Sequence, residues 1–505
     1  MKSKICSTLF FSLIFLFICY FFIKIHPLYV FDTDDWAYIQ DSRNGKTWIV
    51  WKAWNPTRVF PEIFMPAISW LSVIFIYPFS SDYIATLSVG FGVTLSFFVI
   101  ILGIMFAKFS ETKFKVIKFE SLLFSLFFIL FFFYPLYRQG NLYLLRSANV
   151  TCVFYYIIPA LLNAIVVLWM LSIENTKFRE MNYLAQSLLI VAIYFSLNSN
   201  LFQSVILVSY VSSCVLISFY DERKKREYHS KHFTFNILKN FFKTNLLYIF
   251  IIIGYLVILF FEANGRRASG YHNGLTELNV KLSFEVVIQS IKKLHIVFYC
   301  LIATNLIALL VYFYKKRKNK LQISDRLFIN VFIKLVISLS ITVLFLVLLC
   351  TKTGTWYLSR NDVGISYIFF ILFISFCSIM YLYSCCMKCL NLNLIYLLPL
   401  FSIFLLGKVV FSDIRYAETT TADFPIDIAK KISDDLVSQI VSADKSGKKE
   451  IEIMIPKFST ADNWPLALYG AQRLSNALYT HRIIRNQIHV KFIPDSSINQ
   501  KYNIE

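Results

Sequence analysis

The stretch FDTDDWAYIQ (31–40) places three carboxylates, Asp32, Asp34 and Asp35, within four positions, among Tyr29, Phe31, Trp36 and Tyr38. A carboxylate can accept a proton from a hydroxyl. Burial beside aromatic rings raises its pKa toward the range where a general base works, whereas a nearby cation lowers it. Chain geometry limits how many of the three can act together. In a helix Asp32 and Asp35 share a face and Asp34 points elsewhere; in a strand Asp32 and Asp34 share a face and Asp35 is opposite. One or two acids can therefore face a site, with the third solvated or capping a helix. Anchoring is the other reading of the same residues. Acids just beyond an apolar helix help fix its depth, and Trp36 and Tyr38 suit an interfacial aromatic belt.

The loop continues GKTWIVWKAWNPTRVF, with Trp48, Trp51 and Trp54 three apart, then Arg58 and Glu62. Indole faces pack on the apolar faces of sugar rings and are also common at membrane interfaces. Cations gather in three other polar segments. NGRRASGYHNG carries Arg266 and Arg267 between glycines with His272 close by, TWYLSRNDVG carries Arg360, and RQGNLYLLRSANVT carries Arg138 and Arg146. A guanidinium binds phosphate through two parallel hydrogen bonds; lipid headgroup contact is the plainer alternative. YFSLNSNLFQS adds Asn198, Asn200 and Gln203 at a turn between apolar runs, where amides cap helix ends or bind hydroxyls.

These residues must be positioned by a greasy chain. Of 505 residues 57% are hydrophobic and 16% charged, and the apolar runs reach the ~18 or more residues a helix needs to cross hydrocarbon. The net charge of +20 does not indicate a nucleic-acid partner. The basic residues cluster between apolar runs, as in DERKKREYHSK and KKRKNK, which is the pattern of cytoplasmic loops under the positive-inside rule. The partner implied is the lipid bilayer. Cysteines lie mostly inside the apolar runs, and CCMKC (385–389) lacks the spaced ligands of a zinc site.

Eleven spans are predicted, at 5–25, 84–107, 119–137, 151–173, 184–197, 201–220, 245–261, 295–314, 329–350, 364–384 and 394–411. The first keeps its N-terminus inside: its apolar run is too long for a signal peptide and no A-x-A site follows. Counting 62–79 as a span would put the lysines of 108–118 outside. It is therefore assigned to the outer interface, where Pro61, Pro66 and Pro78 suit a broken helix. The outer face then receives the loop 31–61, the segments 138–150, 262–294 and 351–363, and the tail 412–505. Within 281–294, Phe284, Val287, Ile288, Ile291 and Leu294 form the stripe of an amphipathic helix. The tail reads as an α/β module: a helix through Ile428, Ile432, Leu436 and Ile440, a strand at EIEIMI, a helix starting near Asp462–Pro465, and a strand at QIHVKFI. The fold class predicted is thus an all-α polytopic membrane domain (1–411) with a small C-terminal extracytoplasmic α/β module (412–505).

The order of a first membrane helix, an outer loop opening on a paired acid, many spans with short basic inner loops and a soluble outer tail resembles the GT-C superfamily of membrane glycosyltransferases. Within it the chain looks most like the bacterial and phage-encoded O-antigen glucosyltransferases that alter serotype. The architectural likeness covers most of the chain; the motif likeness is short, DTDDW plus an N-x-x-R element at Asn264 to Arg267 that here lacks its preceding proline–glycine pair. The resemblance implies a polyprenyl-phosphate sugar as donor, a hydroxyl of a lipopolysaccharide or similar surface glycan as acceptor, and inversion at the anomeric carbon. It implies a bacterial inner-membrane location with the tail in the periplasm, and a donor synthase and a flippase as partners. It assigns the base to Asp35 or Asp34, with Asp32 in reserve, and the donor phosphate to Arg267, Arg266 and Arg360. Acceptor contacts fall to Trp51, Trp54, Arg58, Asn198 and Gln203. No residue is carried over from the tail. No cofactor is expected; the acids could bind a divalent metal, but no second ligand set is visible.

Rival readings are a flippase for polysaccharide or lipid-linked oligosaccharide, a polymerase and a ligase. Transporters place ionisable groups at mid-bilayer, and here Lys334 is one of few such residues.

Overall fold

A computed structural model describes residues 2–40, 58–138, 142–147, 149–173, 178, 180–228, 235–264, 276–386, 415–416 and 423–504. Among these, eight helices are long and apolar enough to cross a membrane: Ile5–Ile25, Tyr83–Phe114, Val150–Ile173, Leu201–Lys224, Phe241–Ala263, Ile296–Arg317, Ile323–Thr353 and Asn361–Cys385. Lipid offers backbone amides and carbonyls no partners, so such runs satisfy their polar groups internally as helix. Asn361–Cys385 is the most enclosed, with 89% of its apolar window buried, and phenylalanines from several helices pack around it. Phe106, Phe128 and Phe131, for example, all meet Phe376.

The multi-pass helical architecture is present; eight of the eleven predicted spans correspond to these helices, and among the described residues two more are shorter than a span. The expected span 119–137 is a 14-residue helix, Lys118–Phe131. The chain turns before Pro135, which cannot donate to a helical ladder, and Pro135 and Tyr137 instead make isolated bridges to Tyr143 and Leu294. The expected span 184–197 is the 15-residue helix Tyr183–Leu197, about 22 Å long at 1.5 Å per residue. The segment 394–411 lies outside the described residues.

Helix ends sort into two poles. Lys113, Asp221, Thr244 and Asn330 line one cavity, which brings the basic connections to a common basic pole. Asp32, Asn149, Asp362 and the tail meet at the other, here called the acidic pole. The segment 62–79 is one helix, Val59–Phe75, with Pro66 accommodated inside it, followed by the short Tyr77–Ser80. Both its ends stay at the acidic pole. The Phe60 amide donates to the Asn198 carbonyl at 3.0 Å, and Asp82, just beyond it, pairs with Lys430 of the tail at 2.9 Å. Leu71, Ile74, Phe75 and Phe79 are exposed along it. The amphipathic segment forms Glu277–Lys293. Its stripe divides: Val287 is buried, while Phe284 and Ile288 face outward.

The tail contains the helix Ile426–Lys445, with Ile432, Leu436 and Ile440 buried, then the strand Glu450–Pro456, the helix Gly470–Thr480 and the strand His489–Asp495. The two strands pair in parallel, Ile453 opposite Phe492, so the unit is a β-α-β crossover. A short antiparallel pair, Arg415–Tyr416 with Phe424–Pro425, precedes it. The second tail helix starts at Gly470, later than expected. The residues before it make a loop pinned by Asn463, whose side chain accepts from the Phe458 amide and donates to the Pro456 and Leu466 carbonyls. That loop is the part of the tail that grips the membrane domain. The Thr33 amide and hydroxyl donate to the Pro465 carbonyl at 3.0 and 2.9 Å, and the same hydroxyl accepts from the Ala467 amide at 2.9 Å.

Candidate functional site

The acids of FDTDDWAYIQ do start a helix, Thr33–Tyr38, and Asp32 is its N-cap: one carboxylate oxygen accepts from the Asp34 and Asp35 amides, both at 2.9 Å. The other oxygen accepts from Asn149 Nδ2 at 2.5 Å and the Tyr416 hydroxyl at 3.4 Å. Asp35, on the same face, accepts from the Thr151 amide at 2.7 Å, the Thr151 hydroxyl at 2.8 Å and the Phe31 amide at 3.2 Å. Both side chains are fully buried. Burial lifts the Asp35 pKa to about 6 against the pull of these donors. Burial, with the Asp35 charge beside it, also raises Asp32 well above the ordinary carboxylate range. These two acids lock the helix against the membrane domain.

Asp34 points away from them, as helical geometry requires. Its side chain is 43% exposed and pairs with Arg473 of the tail at 3.4 Å. Partial burial raises its pKa, while the guanidinium groups of Arg473 and Arg58 pull it down. Arg473 also lies over the Tyr469 ring, 4.9 Å from its centroid. Arg58 sits just before Val59–Phe75, over Tyr155 at 6.0 Å, and Tyr155 in turn packs on Tyr38 at 4.8 Å. Burial disfavours the Arg58 charge, but the surrounding Tyr38, Tyr155, Glu62 and Glu262 hold its pKa above the ordinary value. Among the described residues Arg58 makes no ion pair within bonding distance.

Arg360 occupies a second cationic position. Its guanidinium binds Asp362 through two nitrogens, Nε at 2.9 Å and one Nη at 2.5 Å, and lies over Tyr156, Tyr357 and Trp356. Burial works against its charge, but Asp362 more than offsets this and raises its pKa. Only 18% of the side chain is exposed. Gln203, fully buried, donates to the Asp362 carbonyl at 2.6 Å and accepts from the Ser366 hydroxyl. Asn198 ends the Tyr183–Leu197 helix by donating to the Tyr194 carbonyl at 2.8 Å. Both amides are thus engaged with the scaffold. Trp51, Trp54, Arg266 and Arg267 lie outside the described residues.

One short segment ties these parts together. Asn149 holds Asp32, Thr151 holds Asp35, Cys152 meets Arg360 at 3.2 Å, Tyr155 faces Arg58 and Tyr156 faces Arg360. A π-helical stretch, Val153–Ile157, widens the turn there and lets adjacent tyrosines serve the two cations; such bulges are frequent at functional sites. Sequence reading passed over Asn149, Thr151, Tyr155, Tyr156 and Arg473. NVT following a polar loop and the YY pair were available signals for the first four. Arg473 carried none, because only the docking of the tail brings it to Asp34. Among the described residues no three His, Cys, Asp or Glu side chains come together as metal ligands.

Comparison with protein-family models, curated proteins and solved structures finds no match to this chain.

Proposed function

We propose that this chain is a membrane glycosyltransferase of the GT-C kind, moving a hexose, glucose by the resemblance above, from a polyprenyl-phosphate donor to a surface glycan on the outer side of the bacterial inner membrane. The observation that carries the reading is a half-exposed carboxylate, Asp34, held by a long 3.4 Å ion pair to Arg473 and within the electrostatic reach of a second guanidinium, Arg58, which makes no ion pair among the described residues. Asp34 is the base. It accepts the proton of an acceptor hydroxyl as that oxygen bonds to the anomeric carbon. The bond from this carbon to the phosphate oxygen breaks, polyprenyl phosphate leaves with the electron pair, and attack from the opposite face inverts the centre. Arg58 neutralises charge on the leaving phosphate. Arg360, already balanced by Asp362, shapes the aromatic wall and acts as the weaker phosphate contact. Asp35 and Asp32 position the Asp34 helix. Val59–Phe75, with both ends at one pole, fits a helix lying in the outer interface.

The test is mass analysis of the surface glycan in cells carrying the wild-type chain, Asp34→Asn, or a deletion. Loss of one hexose branch in both the deletion and the Asp34→Asn strain is expected. Loss of the whole polymer in the deletion strain points instead to a flippase, polymerase or ligase, and an unchanged glycan in that strain overturns all of these.

A further inference from the structure

We propose that the basic pole holds a phospholipid whose phosphate sits on Lys334, a site separate from the acidic pole and independent of the reaction proposed there. Lys334 lies about 16 Å along the Ile323–Thr353 helix at 1.5 Å per residue, inside an apolar span where a charge without a partner is costly. Among the described residues its ammonium makes no hydrogen bond or ion pair. It lines a cavity of about 360 Å³ together with Asn330, Tyr210, Tyr248, Asn245 and Asp221. Asn245 is engaged with Ser218 and the Phe241 carbonyl, and Tyr210 with Tyr248 and Cys214, so they shape the chamber. Lys334 and Asn330 are left to meet a phosphate, with Lys113 also on the lining and the carboxylates of Asp221 and Glu222 beside them.

A second cavity of about 240 Å³ adjoins the first, sharing Met170, Thr244 and Tyr248. It is walled by Leu189, Leu247 and Phe250 and reaches the flank of the bundle, where Phe250 is 62% exposed. A polar chamber next to a greasy lateral groove, with Met170, Thr244 and Tyr248 as their common wall, matches a molecule with a phosphate headgroup and an acyl chain, and matches free phosphate only in part. The exposed carboxylate of Asp221 in the same chamber suits a headgroup that also carries an ammonium. The ligand class is therefore a zwitterionic phospholipid such as phosphatidylethanolamine.

The test uses the full-length chain, purified in detergent, incubated with phosphatidylethanolamine and examined by native mass spectrometry. The wild type is expected to retain one lipid, and Lys334→Gln to retain it about tenfold less, the scale of one lost charge-assisted contact. Lys334→Arg, which keeps the charge, restores retention. Circular dichroism and gel filtration check that Lys334→Gln is folded, a fair expectation because the change removes a charge from an apolar helix. Equal retention by the wild type and Lys334→Gln overturns the proposal. So does displacement of the lipid by inorganic phosphate, which would mark the chamber as a site for soluble anions.

Discussion

The two poles of the bundle handle buried charge by the same rule and leave one exception each. At the acidic pole Asp32 and Asp35 are saturated with donors from the Thr33–Tyr38 helix and from Asn149 and Thr151. At the basic pole Asp325 is equally saturated, by Lys315 at 2.9 Å, the Tyr381 hydroxyl at 2.6 Å and the Gln322 amide at 2.6 Å. Against these stand Asp34, half exposed with a long ion pair, and Lys334 with none. Buried polar groups are costly unless satisfied. A saturated group therefore sets position, while an under-satisfied one marks where a ligand completes the set. The poles differ in what surrounds the exception: cations and tyrosines around Asp34, amides and an apolar groove around Lys334.

The sharpest break of this comparison is to swap the roles of Asp34 and Asp35. Asp34→Asn is expected to reduce sugar transfer by about 10²–10⁴-fold, the usual contribution of a general base, with no change in thermal unfolding of the purified chain. Asp35→Ala is expected to act through stability. It strands two amides and a hydroxyl, at about 1–3 kcal/mol for each group left unsatisfied, and lowers the unfolding temperature. If Asp34→Asn is the destabilised variant and Asp35→Ala the stable, inactive one, the division between positioning and reacting acids is wrong.

The saturated acid of the basic pole gives the next effect. Asp325→Ala leaves the partly buried Lys315 without its counter-charge and the Tyr381 hydroxyl without its acceptor. A loss of about 3–5 kcal/mol is expected, read as a lowered unfolding temperature in detergent. An unfolding temperature equal to the wild type's would show that the two poles do not follow one rule.

How much of this was legible in the sequence follows from the range of the interactions. Long apolar runs specify spans locally, so eight of the expected helices and the tail's β-α-β order could be read directly. The two short helices were placed but taken as spans: Lys118–Phe131 ends ahead of Pro135, short of the expected 137, and Tyr183–Leu197, bounded by Asn182 and Asn198 close to where it was expected, is only 15 residues long. Helical spacing already separated Asp34 from the Asp32–Asp35 face. It did not say which face is buried, because that depends on Asn149 and Thr151, more than a hundred residues away. Arg473, over four hundred residues away, was beyond any local pattern, and so was the joint that carries it.

That joint is sensitive to acid. His481 is buried between Tyr83, whose hydroxyl lies 2.6 Å from Nδ1, and Ser69, 3.4 Å from Nε2. Burial depresses its pKa to about 4, against a partial counter-pull from the Ile39 carbonyl. The unfolded chain binds this proton at about pH 6.5 and the folded chain only near 4. The unfolded state therefore carries more protons between these values, and stability falls as pH drops through the window. A loss of up to ~3 kcal/mol is expected by pH 4. Hydrogen exchange in 426–480 should accelerate between pH 6.5 and 4, and His481→Gln should flatten that dependence. A wild-type exchange profile with no such rise, after correction for intrinsic rates, would remove His481 from the joint's energetics.

The smallest effect isolates the grip itself. Thr33→Val keeps the shape of the side chain but removes a hydroxyl that donates to the Pro465 carbonyl and accepts from the Ala467 amide. Both backbone groups lose a partner at a buried contact, so about 1–3 kcal/mol is expected. The loss falls on docking of the tail more than on its folding, since the β-α-β core of Ile453, Ile455, Leu474 and Phe492 is untouched. Limited proteolysis should therefore cut the connection to the tail faster while leaving the module intact. Gly470→Ala probes the same approach from the other side. A Cβ there would lie 2.6 Å from the Thr33 hydroxyl oxygen and 3.0 Å from its methyl, so the helix must shift. If docking holds Arg473 against Asp34, both variants also loosen that pair and weaken sugar transfer by a similar factor. Faster cleavage with transfer unchanged would show that the tail is held for stability and that Arg473 plays no part in the reaction.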